Sequence, residues 1–165
     1  MFICTLYEQK MKIIRFNETE RKMCVICRGE YDETTTEINC YWCKEVTSIP
    51  NTLTQLTTLY CGDTNITSIP ETLTQLKHLY CSSTKITSIP ETLTQLTYLS
   101  CGNTKITSIP ETLTQLTYLY CGSTKIRYLP DTITKINELP KYNVQLLREF
   151  QKQWRLRRLK RLEPN

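Results

Sequence analysis

The sequence has 165 residues, of which 39% are hydrophobic and 22% charged, and its formal net charge is +5. No stretch approaches the roughly 18 apolar residues of a membrane-spanning helix, and charge appears too early at the N-terminus for the apolar core of a signal peptide. We therefore expect an intracellular protein that is neither secreted nor membrane-spanning. In that setting its nine cysteines are expected to be reduced thiols, either buried or bound to metal.

Residues 1–37 are predicted to form an N-terminal cap that contains the first half of a cysteine motif. Cys24 and Cys27, together with Cys40 and Cys43, give the spacing C-x2-C-x12-C-x2-C. Four thiolates in two short knuckles can complete a tetrahedral zinc site, and the bound metal can fold a segment too small for a core of its own. The spacing therefore predicts a structural zinc ion.

The second cysteine pair also has another interpretation. Cys40 aligns with a cysteine column of the repeats described next, and Cys43 aligns with their threonine column, so both can be ordinary members of a first repeat. The two interpretations are compatible if the zinc knuckle caps the open end of a solenoid. The sequence Met-Cys-Val-Ile-Cys at 23–27 is also similar to the first half of a RING-type zinc finger, although the second ligand set of that family, including its histidine, does not follow.

Residues 38–140 contain an internal repeat with a period of 20 residues. Near-identical blocks begin at Asn51, Glu71, Glu91 and Glu111, with a partial copy before them and a degenerate copy after them. The spacing within a block predicts a short strand followed by an Ile-Pro step that breaks regular structure, and the period leaves no room for a full helix on the return side. The apolar columns of one block are Leu96, Leu99, Cys101, Ile106, Ile109 and Leu113.

This pattern, L-x-x-L-x-C-x-x-T-x-I-x-x-I-P-x-x-L, resembles the leucine-rich repeat. The resemblance implies an α/β-type repeat: a solenoid with short parallel strands on its concave face and an irregular or short-turn convex side. It implies that the column of Thr64 replaces the asparagine that bonds the turns of adjacent repeats, and the cysteine column is expected to be buried in place of leucine. The near-identical copies are also similar to repeat sets of giant DNA viruses such as the Marseillevirus-like group, which implies the host cytoplasm or the virion.

The copies differ mainly on the outward face of the predicted strand and in the turn after it. In the leucine-rich-repeat family this is the concave surface that usually meets a partner, and tyrosine offers a large rigid contact at small entropic cost. The alternative is that these rings serve strand propensity alone and that the copies are recent duplications. The predicted partner-binding residues are Tyr60, Lys77, His78, Tyr80, Tyr98, Asn103, Tyr118 and Tyr120.

Residues 141–165 are predicted to form a basic C-terminal helix that caps the last repeat. Leu146, Leu147, Phe150 and Trp154 share one face at helical spacing. The segment has eight basic and two acidic side chains, so it holds the positive balance of the chain. Its end is either a solvated continuation of the cap or a binding element for nucleic acid, an acidic lipid surface or an acidic protein patch. The candidate residues are Arg155, Arg157, Arg158, Lys160 and Arg161.

Three functions are compatible with these features. The leading hypothesis is a non-enzymatic module that binds a protein partner through the tyrosine-rich concave face, because no paired carboxylates, phosphate loop or recurring base and nucleophile points to catalysis. The second is a ubiquitin-pathway adaptor or ligase that uses the RING-like knuckle. The third is nucleic-acid binding through the zinc knuckle and the basic tail.

Overall fold

The strands of the repeats stack into one parallel sheet. A computed structural model describes residues 23–136 of the chain. A four-residue helix, α1 (Val25–Arg28), comes first and ends at Gly29, whose φ of 69° is left-handed. The strands that follow are β1 (Glu37–Asn39), β2 (Thr58–Tyr60), β3 (His78–Tyr80), β4 (Tyr98–Ser100) and β5 (Tyr118–Tyr120). They pair in chain order, and every pair is parallel.

Each turn of the chain repeats the register of the turn before it. Leu59, Leu79, Leu99 and Leu119 lie opposite one another across β2 to β5, and Ile38 of β1 begins the same row. The middle residue of each strand is buried and its two neighbours face outward. The predicted strands and their inward and outward faces are therefore confirmed.

The core consists of stacked columns of leucine, isoleucine and cysteine. One column is made by the cysteine that follows each strand, and we call it the cysteine ladder. Its thiols are between 0% and 4% exposed. Stacking removes from water an apolar face that a single turn cannot bury alone, so neighbouring turns stabilise each other. The ladder consists of Cys40, Cys61, Cys81, Cys101 and Cys121.

The return side of each turn is made of tight turns. Leu73 donates its N–H to the carbonyl of Pro70 at 3.4 Å, and Leu76 donates to the carbonyl of Leu73 at 3.0 Å. The same two bonds recur over residues 90–96 and 110–116. The prediction of a short-turn convex side is confirmed. Within residues 23–136 there is no helix long and apolar enough to cross a membrane.

Threonine hydroxyls join neighbouring turns on the return side. Thr72 Oγ1 donates to the carbonyl of Asn51 at 2.7 Å, and the next turn repeats this bond with Thr92 and Glu71 at the same distance. The row continues through Thr112 and Thr132. Each such bond contributes roughly 0.5–1.5 kcal/mol. Much of the threonine content therefore has a structural role.

The column of Thr64 does not bond adjacent repeats in the expected way. Thr64 Oγ1 donates to the carbonyl of Cys61 at 2.6 Å and accepts the N–H of Ile66 at 3.4 Å, so it closes its own turn. Thr84 and Thr104 donate in the same way to the ladder cysteines of their own turns. A hydroxyl has a shorter reach and fewer donors than an asparagine amide, so the prediction was wrong in this detail.

Several sequence predictions lie outside the described residues. These are the C-terminal cap helix over 141–165 and the five basic residues between Arg155 and Arg161. Residues 1–22 of the N-terminal segment and residues 137–140 at the end of the repeats also lie outside them.

Candidate functional site

Four tyrosine rings form a continuous row on the outward face of the sheet. The ring centroids of Tyr60 and Tyr80 are 4.6 Å apart with an interplanar angle of 18°. Tyr80 and Tyr98 are also 4.6 Å apart, and Tyr98 lies 4.2 Å from Tyr118 with the rings nearly parallel at 4°. We call these four residues the tyrosine stack. All four are half-buried, so each ring keeps part of its surface open.

The tyrosine stack changes column between β3 and β4. Tyr60 and Tyr80 are the last residues of their strands, whereas Tyr98 and Tyr118 are the first residues of theirs. The last position of β4 is Ser100, which has no ring to continue the first column. The row therefore crosses the sheet diagonally, which is consistent with the reach of large side chains to diagonal neighbours.

Packing within the stack changes the acidity of one phenol. Burial raises the pKa of Tyr98, and the hydroxyl of Tyr118 raises it further by hydrogen bonding to Tyr98. The nearby phenol of Tyr80 acts in the same direction. Tyr98 therefore stays neutral across the physiological range and presents an aromatic face with a hydrogen-bonding edge.

Two other predicted residues lie beside the stack. Lys77 and His78 are both exposed. The ring centroid of His78 is 6.4 Å from that of Tyr98, edge to face, and its Nδ1 lies 3.4 Å from Oγ1 of Thr58. These contacts place a cation and an imidazole at the border of the aromatic row.

The last two predicted residues have packing roles. Asn103 adopts a left-handed φ of 53° in the turn after β4, and its Nδ2 donates to Oγ of Ser83 at 3.2 Å. The ring of Tyr120 lies over Gly102, where a Cβ would be 2.2 Å from its Cε1. Asparagine tolerates the left-handed region better than most residues, so its presence here is explained by the turn.

Two aromatic residues of the first turn were not among the predicted site residues. The ring of Tyr41 covers Gly62, whose missing Cβ leaves the space that this ring occupies. Trp42 is 67% exposed, and its ring centroid is 4.7 Å from that of Tyr41. Aligning the partial copy column by column would have placed these residues opposite Gly62 and Asp63.

A cysteine cluster lies where α1 meets the first turn of the solenoid. The Sγ atoms of Cys24 and Cys27 are 3.8 Å apart, and those of Cys27 and Cys43 are 3.6 Å apart. All three Sγ atoms lie within 4.8 Å of one another. The thiol of Cys40 is in hydrogen-bonding contact with that of Cys24. The structure thus brings three residues of the predicted metal motif together, with Cys40 beside Cys24, and none of these four residues forms a disulfide.

Local structure positions these thiols. Cys24 is the N-terminal cap residue of α1, so the helix carries Cys27 on its only turn. Cys43 N–H donates to the carbonyl of Cys40 at 3.0 Å in a tight turn. The two halves of the motif therefore face each other from two turns of backbone, as in a pair of metal-binding knuckles.

The cluster thiols differ in acidity. Burial raises the pKa of Cys27 to about 12, and the neighbouring thiols of Cys43 and Cys24 add to this effect. Burial also raises the pKa of Cys40. Burial acts the same way on Cys43, but hydrogen bonds from the backbone N–H groups of Cys24, Val46 and Glu45 and from the thiol of Cys27 together outweigh it and hold the pKa of Cys43 below its usual value. Cys43 is thus better prepared to be a thiolate than Cys27 or Cys40.

An open cleft of about 370 Å³ adjoins the cluster. Apolar side chains of Met23 and Val25 line it together with the charged Arg28 and the aromatic residues of the first turn. Two of the thiols, Cys24 and Cys43, reach its wall. The cluster is therefore close to the surface, in contrast to the rest of the cysteine ladder.

Short parallel strands, a tight-turn return side and one shared core define a leucine-rich-repeat solenoid. Residues 54–93 and 74–113 match the family model described as "Leucine Rich repeats (2 copies)". The sequence of residues 54–113 thus matches the leucine-rich-repeat pattern, as predicted. A search of the curated proteins gives no match.

Three solved structures have a similar fold. The functional domain of InlJ from Listeria monocytogenes, described as including a cysteine ladder, is 28% identical, with a TM-score of 0.53 over 69% of this chain and 34% of that chain. The LRR protein LIC12759 of Leptospira interrogans is 25% identical, with a TM-score of 0.56 over 73% of this chain and 36% of that chain.

The third structure is YopM, a leucine-rich effector protein from Yersinia pestis, at 18% identity and a TM-score of 0.51, covering 67% of this chain and 35% of that chain. At this identity the likeness concerns the fold alone. The chain spans about a third of the length of these three structures.

Proposed function

We propose that the chain is a non-enzymatic module that binds a protein partner on its concave face through the tyrosine stack. Leucine-rich repeats generally mediate protein–protein interaction and are typically free of enzymatic activity. One observation carries the proposal: tyrosine rings from successive turns pack into a single row on an outward face.

The row has the physical properties of a binding surface. Each ring is held by its neighbours at a centroid distance between 4.2 and 4.6 Å, so a partner does not have to order it. Binding then loses less side-chain entropy, and more of the contact energy contributes to affinity. Tyrosine supplies both an apolar face and a hydroxyl, which is why it is frequent among the residues that dominate binding energy.

Charge at the border of the stack supports one kind of partner surface. Lys77 is exposed beside the aromatic row, and His78 lies within contact distance of Tyr98. A partner with an acidic or carbonyl-rich rim around an apolar centre would complement this arrangement.

The test changes Tyr80, Tyr98 and Tyr118 together to serine. Proteins captured from a cell extract by the wild-type chain are identified, and the affinity of each purified partner for the wild type and for the variant is measured by calorimetry. We expect at least a tenfold loss of affinity, because single interface tyrosines often contribute about 1–2 kcal/mol.

The matched control is Tyr128→Ser, which removes an exposed tyrosine outside the stack. It should leave the affinity unchanged. Circular dichroism must show that the triple variant is folded. An affinity that the triple variant retains in the folded state would contradict the proposal.

The other two functions stay predictions from the sequence. The ubiquitin-pathway hypothesis depends on a RING-like half motif at 23–27, and the nucleic-acid hypothesis depends on Arg155, Arg157, Arg158, Lys160 and Arg161. The intracellular location and the viral origin also depend on sequence alone. The tyrosine stack favours a protein partner over these alternatives.

A further inference from the structure

We propose that Cys24, Cys27, Cys40 and Cys43 bind one structural zinc ion that fastens α1 to the first turn of the solenoid. The inference does not depend on the proposed partner surface, because the cluster consists of other residues. Its starting point is the convergence of three thiols, Cys24, Cys27 and Cys43, from two separate knuckles, with the thiol of Cys40 in contact with that of Cys24.

The sulfur spacing fits a tetrahedral site. A zinc–sulfur bond of about 2.3 Å in a regular tetrahedron separates the sulfur atoms by about 3.8 Å. The distances of 3.8 Å from Cys24 to Cys27 and 3.6 Å from Cys27 to Cys43 agree with this value. Cys40 contacts Cys24 but is not among the three thiols that lie within 4.8 Å of one another, so its thiol must move closer to complete the fourth corner.

Backbone donors around the cluster support thiolate ligands. Cys43 Sγ accepts N–H groups of Cys24, Val46 and Glu45, and Cys40 Sγ accepts the N–H of Ile26. Such outer donors orient metal ligands and stabilise their negative charge. Cys24 and Ile26 belong to the first knuckle, so this half of the site helps to hold the sulfur atoms of the second half.

The fold also explains why a metal is useful at this end. A four-residue helix is far below the length at which helices are stable alone, and an exposed Arg28–Glu30 ion pair contributes little. Cys40 is joined to the sheet, because its N–H donates to the carbonyl of Tyr60 at 2.7 Å. Zinc at Cys40 would therefore connect the N-terminal segment directly to the hydrogen bonds between β1 and β2.

The other ladder cysteines do not form a second site. Cys61, Cys81 and Cys101 are fully buried, and each comes from the same position of a different turn. Burial raises the pKa of their thiols, which therefore stay protonated. Within residues 23–136, the cysteines that can share a metal therefore lie at the end of the ladder, where α1 and the residue before it supply two further thiols.

The test measures the metal content of the full chain purified with reductant and without chelator. We expect about one zinc ion per chain, and about one cobalt ion after exchange, with the intense visible absorption of tetrahedral cobalt thiolates. The double variant Cys24→Ser, Cys27→Ser should lose this metal. The matched control Cys61→Ala removes a ladder thiol and should keep it.

Several outcomes would overturn the inference. One is a reduced chain that contains no zinc and takes up no cobalt after chelator treatment, a measurement that needs no variant to fold. Others are disulfides among the four cysteines, iron in place of zinc, or full zinc content in the double variant. Limited proteolysis gives a second readout, since metal removal should speed cleavage within residues 23–36 about tenfold or more.

Discussion

The first turn of the solenoid and the later turns share one backbone but use it differently. Cys40, Tyr41, Trp42 and Cys43 occupy the columns that later hold cysteine, glycine or serine, a small polar residue and threonine. Trp42 N–H donates to the carbonyl of Gly62 at 3.1 Å, as Asp63 N–H donates to Ser82 at 2.9 Å. Both donors have a left-handed φ, 62° for Trp42 and 55° for Asp63.

The comparison shows which positions of the repeat the fold requires and which positions can change. The ladder cysteine and the hydrogen bonds between turns recur in the first turn, so they maintain the shape. The threonine column is free to change, because Cys43 keeps the turn while exchanging a hydroxyl for a thiol. In the first turn the repeat thus offers two thiols to the cluster, whereas each later turn buries one.

The largest expected effect is a response to alkaline pH that the later turns share with the cluster, because burial also raises the pKa of Cys27 and Cys40. Burial raises the pKa of Cys61, Cys81 and Cys101 well above its usual range. An unfolded thiol ionises near pH 8.5, so above this pH the unfolded chain binds fewer protons than the folded chain. The free energy of unfolding should fall by about 1.4 kcal/mol per pH unit for each such thiol, and be nearly constant below about pH 8.

Urea unfolding between pH 7 and about pH 10, with chelator and reductant, measures this dependence. Cys81→Ala removes one ionising thiol, so the free energy of unfolding should fall less steeply with pH, by about 1.4 kcal/mol per pH unit. Ile86→Val is the control, because it removes one buried methyl group near the ladder but no ionising group. Equal slopes for Cys81→Ala and the wild type would refute the assignment of the slope to the ladder.

A smaller difference is expected when serine replaces cysteine in the two regions. Cys81 is fully buried, so Cys81→Ser places a hydroxyl in an apolar column and should lower the free energy of unfolding by about 1–3 kcal/mol. Cys24 is half-buried, so Cys24→Ser in the metal-free chain should change it by less than about 0.5 kcal/mol.

Denaturant unfolding with excess chelator gives both values. If zinc is then added, only the wild type and Cys81→Ser should gain stability, since Cys24→Ser has lost a ligand. Similar losses for the two variants without metal would show that the cluster is as well packed as the ladder, and the comparison would fail.

The period of the sequence was enough to predict the architecture. Leu99 and Cys101 recur at the same place in every copy, and a repeated apolar column can only be buried against its own neighbours. The proximity of Cys24, Cys27 and Cys43 was also predictable, because the spacing of the two cysteine pairs is typical of metal ligands. Neither prediction required the position of an individual ring.

Contacts between side chains of neighbouring turns were not predictable in the same way. At Ser100 the tyrosine stack changes column because the ring of Tyr80 packs on that of Tyr98. This contact between rings of neighbouring turns cannot be read from the sequence. Part of the variation among copies, interpreted as a partner surface, is explained by packing: Ser82 Oγ lies 3.0 Å from Ser100 Oγ, whereas Gly102 lies beneath Tyr120. A serine in the turn is thus paired with a serine in the next strand, and a glycine is paired with a tyrosine.

The smallest expected effect tests this pairing of columns. Gly102→Ser would place a Cβ 2.2 Å from Cε1 of Tyr120, so the ring must move away. Because this ring is only half-buried, we expect a loss of about 1 kcal/mol in the free energy of unfolding. Adding Tyr120→Ser recreates the pair found at Ser82 and Ser100, and should recover most of that loss.

Urea unfolding of the wild type, both single variants and the double variant gives the coupling energy directly. Asn103→Ser is a matched control in the adjacent column, since Ser83 and Ser123 adopt the same left-handed backbone. If the effects of Gly102→Ser and Tyr120→Ser on the free energy of unfolding are simply additive, the ring of Tyr120 is not the reason for glycine at position 102. A coupling close to 1 kcal/mol would instead mean that an aromatic ring from a neighbouring turn selects glycine here, as Tyr41 of the first turn does at Gly62.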